Sequence, residues 1–152
     1  LVNGVTAGNL ASVLSALEKT NGSATPITTQ AALQTLVDNI TQSLNAIVTA
    51  AANDTAVSGA VLTPAVYAFA GVTGVSDANV RLVNEMLDTA AINGTAVDSP
   101  AKVQALVDAI DKIRGLADAT DATGAALNNA DITALGLSEV IRLDGALRMA
   151  PR

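Results

Sequence analysis

The run Val103-Gln104-Ala105-Leu106-Val107-Asp108-Ala109-Ile110 decides the fold. Val103, Leu106, Val107 and Ile110, with Ile113 beyond, fall at i, i+3, i+4, i+7 and i+10. That spacing lines one face of a helix of 3.6 residues per turn. Lys102, Asp108, Asp111 and Lys112 fall off the face, where solvent would keep them charged. Upstream, Asp98-Ser99-Pro100 supplies a capping side chain and then a proline suited to a first helical turn. A helix is therefore expected from Pro100.

Working outward, the same letters recur seventy residues earlier. Ala31-Ala32-Leu33-Gln34-Thr35-Leu36-Val37-Asp38-Asn39-Ile40 meets Ala101-Lys102-Val103-Gln104-Ala105-Leu106-Val107-Asp108-Ala109-Ile110. At the same shift Gly4-Val5-Thr6 meets Gly74-Val75-Ser76, Asn9 meets Asn79, Val13 meets Val83 and Leu17 meets Leu87. Leu62-Thr63 meets Ile132-Thr133 without a gap. Shared Ala is cheap in such a chain, but Gln-x-Leu-Val-Asp-x-Ile in register with Gly-Val and Asn is not. An internal repeat is the expectation. A third copy is expected to open at Gly136-Leu137-Ser138-Glu139, aligned with Gly74-Val75-Ser76-Asp77, and to continue through Leu143 and Leu147.

Within the middle copy, Thr63-Pro64 opens a short helix that ends at Gly71. Ser76 or its neighbour is expected to cap a second helix, striped by Val80, Val83 and Leu87, and Asn93-Gly94 turns the chain out of it. The fold class expected is all-α, as tandem small three-helix bundles. Residues 1–60 would hold a partial module (second and third helices), 61–130 a complete module with its linker, and 131–152 the start of a third. The chain is expected to be an interior piece of a longer protein.

Composition narrows the function. Half of the 152 residues are apolar, but these are mostly Ala, Val and Leu, and Tyr67 and Phe69 are the only aromatics. Each module would bury little area and would lean on its neighbours, as repeat proteins do. A net charge of −6 with eight scattered basic residues provides no stripe for phosphates, so no nucleic acid partner is expected. Apolar runs stop short of the roughly 20 residues that a membrane span needs. With no His and no Cys, nucleophilic catalysis and thiolate metal sites lose their usual residues, and no enzyme, cofactor or metal is expected.

Asp118, Asp121 and Asp131 with Asn128 and Asn129 offer oxygen ligands, but without the alternation of a calcium loop, and a solvated linker is expected. Asp108, Asp111 and Lys112 are expected on an exposed helical face. Asn21, Asn39, Asn53 and Asn93 begin Asn-x-Thr/Ser sequons, a consequence of Asn/Thr-rich turns. Of the aromatics, Phe69 is expected in the core and Tyr67 half exposed or packed between modules. Leu14, Leu82 and Met86 are expected to form an uncovered apolar patch. Together with Tyr67 they are the candidate protein-contact residues.

The pattern from Ala70-Gly71-Val72-Thr73-Gly74-Val75-Ser76-Asp77-Ala78-Asn79-Val80 to Val103-Gln104-Ala105-Leu106-Val107-Asp108-Ala109 resembles the GA-like modules of large bacterial cell-surface adhesins. These are similar to the albumin-binding GA module, a three-helix bundle. The resemblance implies a non-catalytic stalk segment at the bacterial surface. Its partners would be neighbouring modules or a host or matrix protein; separately, the incomplete first and last modules could complete one another between copies of the chain in a head-to-tail filament. The albumin-binding branch places exposed aromatics near the start of its second helix. The matching positions here are Ala78, Asn79 and Val80, so albumin is not the expected ligand.

Overall fold

The computed structural model describes residues 1–21, 26–52, 62–118 and 126–137. All regular structure among them is helical: α1 (Leu10–Asn21), α2 (Gln30–Ala52), α3 (Pro64–Phe69), α4 (Val80–Leu87), α5 (Pro100–Asp118) and α6 (Asn129–Ala134), with a 3₁₀ turn at Gly94–Ala96. The protein is all-α, as the spacing of its apolar residues predicts.

α5 begins at Pro100, and the Ser99 carbonyl accepts from the Lys102 and Val103 amides at 3.1 Å. Val103, Leu106, Val107, Ala109 and Ile110 are buried. Ile113, expected on the same face, is 38% exposed, and Leu116 is more so. The helix outruns the apolar cluster, which ends at Ile110. α4 begins at Val80 rather than directly after Ser76. Residues 76–79 close a turn, with the Val80 amide on the Ser76 carbonyl at 2.8 Å, so Ser76 supplies a backbone acceptor and Asn79 is the residue before the helix.

Two apolar clusters form the core. The smaller gathers Val13 of α1 with Val37 and Ile40 of α2, flanked by Val2, Leu17, Leu33 and Leu36. The larger gathers Tyr67, Val83, Leu87, Val103, Leu106, Val107 and Ile110 with Leu135, which follows α6. It also contains Ile47 and Ala51, from the second half of α2. One continuous 23-residue helix thus serves both clusters, and the larger cluster crosses the boundary expected at 60/61. Beyond it, α6 packs along α5.

The same hydrogen bonds recur at positions seventy apart. Asn9 accepts from the Thr6 amide at 2.8 Å and donates to the Gly4 carbonyl at 2.8 Å. Asn79 accepts from the Ser76 amide at 2.7 Å and donates to the Gly74 carbonyl at 2.8 Å. Gln34 and Gln104 each take the amide of the residue before the glycine, Asn3 or Thr73, at 2.8 Å and return a bond to that residue's carbonyl. Each Gln also donates at 2.8 Å to the carboxylate one turn on, Asp38 or Asp108. Gly4 and Gly74 share a left-handed φ of about 85°, which only glycine adopts cheaply. The letters common to the two stretches are therefore those that clip a loop onto a long helix.

The third stretch aligns differently from expectation. Thr63 precedes α3 and Asn128 precedes α6; the amides of Gly71 and Gly136 bind the Ala68 and Thr133 carbonyls, and those of Val72 and Leu137 bind the Tyr67 and Ile132 carbonyls. Both glycines have positive φ. Gly136 therefore corresponds to Gly71, not Gly74, at a shift of sixty-five, and the pairing of Leu62-Thr63 with Ile132-Thr133 does not hold. Two Gly-Val pairs three residues apart make the letters ambiguous, and the backbone bonds choose between them. Leu143 and Leu147 lie outside the described residues.

Candidate functional site

In a chain of helices clipped in this way, the places that can act are the junctions between clusters and the surfaces beside them. The first junction lies where α1 meets the end of α3. Ser12 is buried, and its hydroxyl donates to the Ala70 carbonyl at 2.9 Å, satisfying an acceptor that the end of α3 would otherwise leave orphaned. Gly71 follows with φ +86°, and a Cβ on it would lie 2.8 Å from the Ser12 Cβ. Only glycine allows this approach.

The two aromatics exchange their expected places. Tyr67 is fully buried, and its hydroxyl donates to Asn84 Oδ1 at 2.6 Å; the Asn84 amide group donates in turn to the Leu62 carbonyl at 2.9 Å. Burial pushes the Tyr67 phenol well above its ordinary range, and it stays neutral. Tyr67 is thus a core residue rather than a contact residue. Phe69, expected inside, is 50% exposed. α3 lies on α2, and two residues along a short helix turn a side chain by about 200°, so burying one aromatic turns the other away.

Leu82 and Met86 do not join Leu14 in an uncovered patch. Both are partly buried against the larger cluster through α4, whereas Leu14 lies on α1 and is 52% exposed. Among the exposed apolar side chains, Phe69 borders a groove. A groove of about 380 Å³ runs between α1, α2 and α3, floored by Leu36 and Ile40 and walled by Ala16, Ala68 and Phe69, with Lys19 at its rim. The signal available in the sequence was the row of small residues Ser12, Ser15 and Ala16 on α1, which leaves space beside larger neighbours.

The second junction, α5 with α6, is ionic. Lys112 Nζ lies 2.6 Å from Asp131 Oδ1, and the Asp131 side chain is only 9% exposed. Asp131 Oδ2 accepts the Asn128 amide at 2.9 Å while Asn128 Oδ1 accepts the Ala130 and Asp131 amides, a capping box closed from both sides. The Asn128 amide and the Lys112 ammonium hold the Asp131 carboxyl below the usual carboxylate range. Asp111 accepts from Asn79 Nδ2 at 3.0 Å and pairs with Arg114 at 3.3 Å. Asp111 and Lys112, expected on an exposed face, are thus half-buried and paired. Asp108 and Asp111 line a cleft of about 530 Å³ beside Lys112 and Asp131.

Of the oxygen-bearing side chains near the linker, Asn128 and Asp131 bind each other and Asp131 also binds Lys112; Asp121 and the Asp118 side chain lie outside the described residues. Among the described residues no group of three or more acidic side chains is placed to hold a metal ion. Asn93, first residue of a sequon, has its Oδ1 on the Thr95 and Ala96 amides. No described helix is long and apolar enough to cross a membrane. Comparison with protein-family models, with curated proteins and with solved structures found no match.

Proposed function

We propose that the chain is a non-catalytic, load-transmitting segment built of tandem three-helix units, part of the stalk of a bacterial cell-surface adhesin. The observation that carries this reading is the sharing of α2: Val37 and Ile40 lie in one cluster, Ile47 and Ala51 in the next. A helix common to two cores transmits orientation from one to the other, where a linker would not. The bond from Ser12 to Ala70 adds a second tie between the same parts. The resemblance to GA-like modules supports the surface location and the stalk role. The non-catalytic reading is supported by the lack of His and Cys and by the engagement of Asp111, Lys112 and Asp131 in pairing.

Double electron–electron resonance tests the stiffness. The chain has no cysteine, so Leu14→Cys and Leu116→Cys, both at exposed sites on α1 and α5, accept spin labels without competition. One narrow distance distribution is expected. Asn45→Pro, in the middle of α2, should broaden it, because proline removes an intrahelical bond and clashes with the preceding turn. A broad distribution in the chain without that proline would refute a rigid segment.

A further inference from the structure

We propose that the groove between α1, α2 and α3 docks an amphipathic helix of a partner protein, which seats a methionine- or leucine-sized side chain beside Phe69 and sets a carboxylate against Lys19. This goes beyond the stalk reading and does not depend on it.

Four observations converge on that occupant. Phe69 is half exposed although Tyr67, two residues away, is fully buried, so the groove has an aromatic wall that no described residue covers. The floor, Leu36 and Ile40, is apolar, and the Ser12 hydroxyl is already taken by Ala70. A small polar ligand would find few convergent partners there.

The second observation comes from within the chain. Seventy residues on from Ala16 stands Met86, which packs on the cluster containing Leu106 and Ile110, the counterparts of Leu36 and Ile40. Leu106 is 1% exposed, whereas Leu36 is only partly buried. In one stretch Met86 packs on the cluster that holds the fully buried Leu106; in the other, Ala16 stands in its place and Leu36 is left partly exposed above the buried Ile40. The side chain that fits is therefore one that the protein itself uses.

Third, the lining backbone is mostly helical and offers no unpaired strand edge, so an incoming segment must bind through side chains, as a helix in a groove does. Fourth, Lys19 stands at the rim and pairs with no carboxylate among the described residues. Charge complementarity selects an acidic residue on the incoming helix.

The test is a library of displayed helical peptides, randomised along one face, selected on the chain and counter-selected on Ala16→Met, which fills the groove from within. Recovered peptides are then synthesised and titrated by NMR against the chain, A16M and K19E. Recovered faces should carry Met or Leu with Asp or Glu three or four residues away, and shift changes should centre on Ala16, Leu36, Ile40 and Phe69. Affinity should fall at least tenfold on A16M and several-fold on K19E, and a Lys-for-Glu peptide should regain affinity for K19E. The proposal is overturned if no peptide is enriched, if recovered peptides bind A16M equally well, or if they show no preference for acidic residues.

Discussion

Substituting Gly71 should separate the contact between α1 and α3 from the ordinary cost of losing a glycine. Gly71 and Gly74 both have positive φ, at 86° and 84°. Placing alanine in that region costs about 1 kcal/mol at either position. At Gly74 the cost ends there, since the new Cβ would meet Asp111 Oδ2 at 3.5 Å and Val107 Cγ1 at 3.6 Å, ordinary contact. At Gly71 the Cβ would meet Ser12 Oγ at 2.3 Å and Ser12 Cβ at 2.8 Å. The hydroxyl can rotate away only by giving up its bond to Ala70, a net loss of about 1 kcal/mol. The Ser12 Cβ cannot rotate away, so α1 must shift, and overpacking of this kind costs roughly 1–3 kcal/mol. Gly71→Ala should therefore destabilise by about 3–5 kcal/mol and Gly74→Ala by about 1 kcal/mol. Urea unfolding followed by circular dichroism measures both. Adding Ser12→Gly to the Gly71→Ala protein should recover at least about 1 kcal/mol as a favourable coupling, whereas alone it destabilises. Equal losses at the two glycines, or zero coupling, would refute the packing of α1 on the end of α3.

Three further outcomes follow from the hydrogen-bonded side chains. Asn79→Ala strips partners from the Ser76 amide and the Gly74 carbonyl beside a buried site and should cost about 2–3 kcal/mol by denaturant titration. Tyr67→Phe leaves Asn84 Oδ1 unpaired and should cost about 1–2 kcal/mol, while Phe69→Ser changes an exposed side chain and should stay within about 0.5 kcal/mol. Asp131 has a carboxyl held below its ordinary value, so its contribution is fully present above the unfolded-state value near ~3.9 and fades as pH falls through the lower folded-state value. Hydrogen exchange at α6 should accordingly accelerate on acidification below that range more than exchange at α3, and Asp131→Asn should remove the difference.

The long helices were legible because each runs far enough for apolar residues to recur at helical spacing: Leu33 to Ile47 in α2, Val103 to Ile110 in α5. Side chains on short elements were not. α3 has six residues, fewer than two turns, so periodicity cannot say whether Tyr67 or Phe69 faces inward. The deciding feature is the amide of Asn84 awaiting the phenol, seventeen residues away. The polar letters of the repeat were visible as a pattern, but their work was not: Gln104, Asp108 and Asn79 are the clip that fastens a loop to α5. Helical spacing puts the charged residues off the apolar face and so in solvent, yet Lys112 meets Asp131 because α6 returns along that side of α5. The small residues Ser12, Ser15 and Ala16 are a cue to the groove beside Phe69, but only the packing of α1 on the end of α3 gives it a place.

The central claim is that a shared helix makes successive units one stiff body. Amide hydrogen exchange along α2 tests it most directly. A helix shared by both clusters predicts slow exchange that runs unbroken from Val37 to Ile47. Fast exchange confined to residues 41–46, the mark of a hinge between separate units, would contradict it.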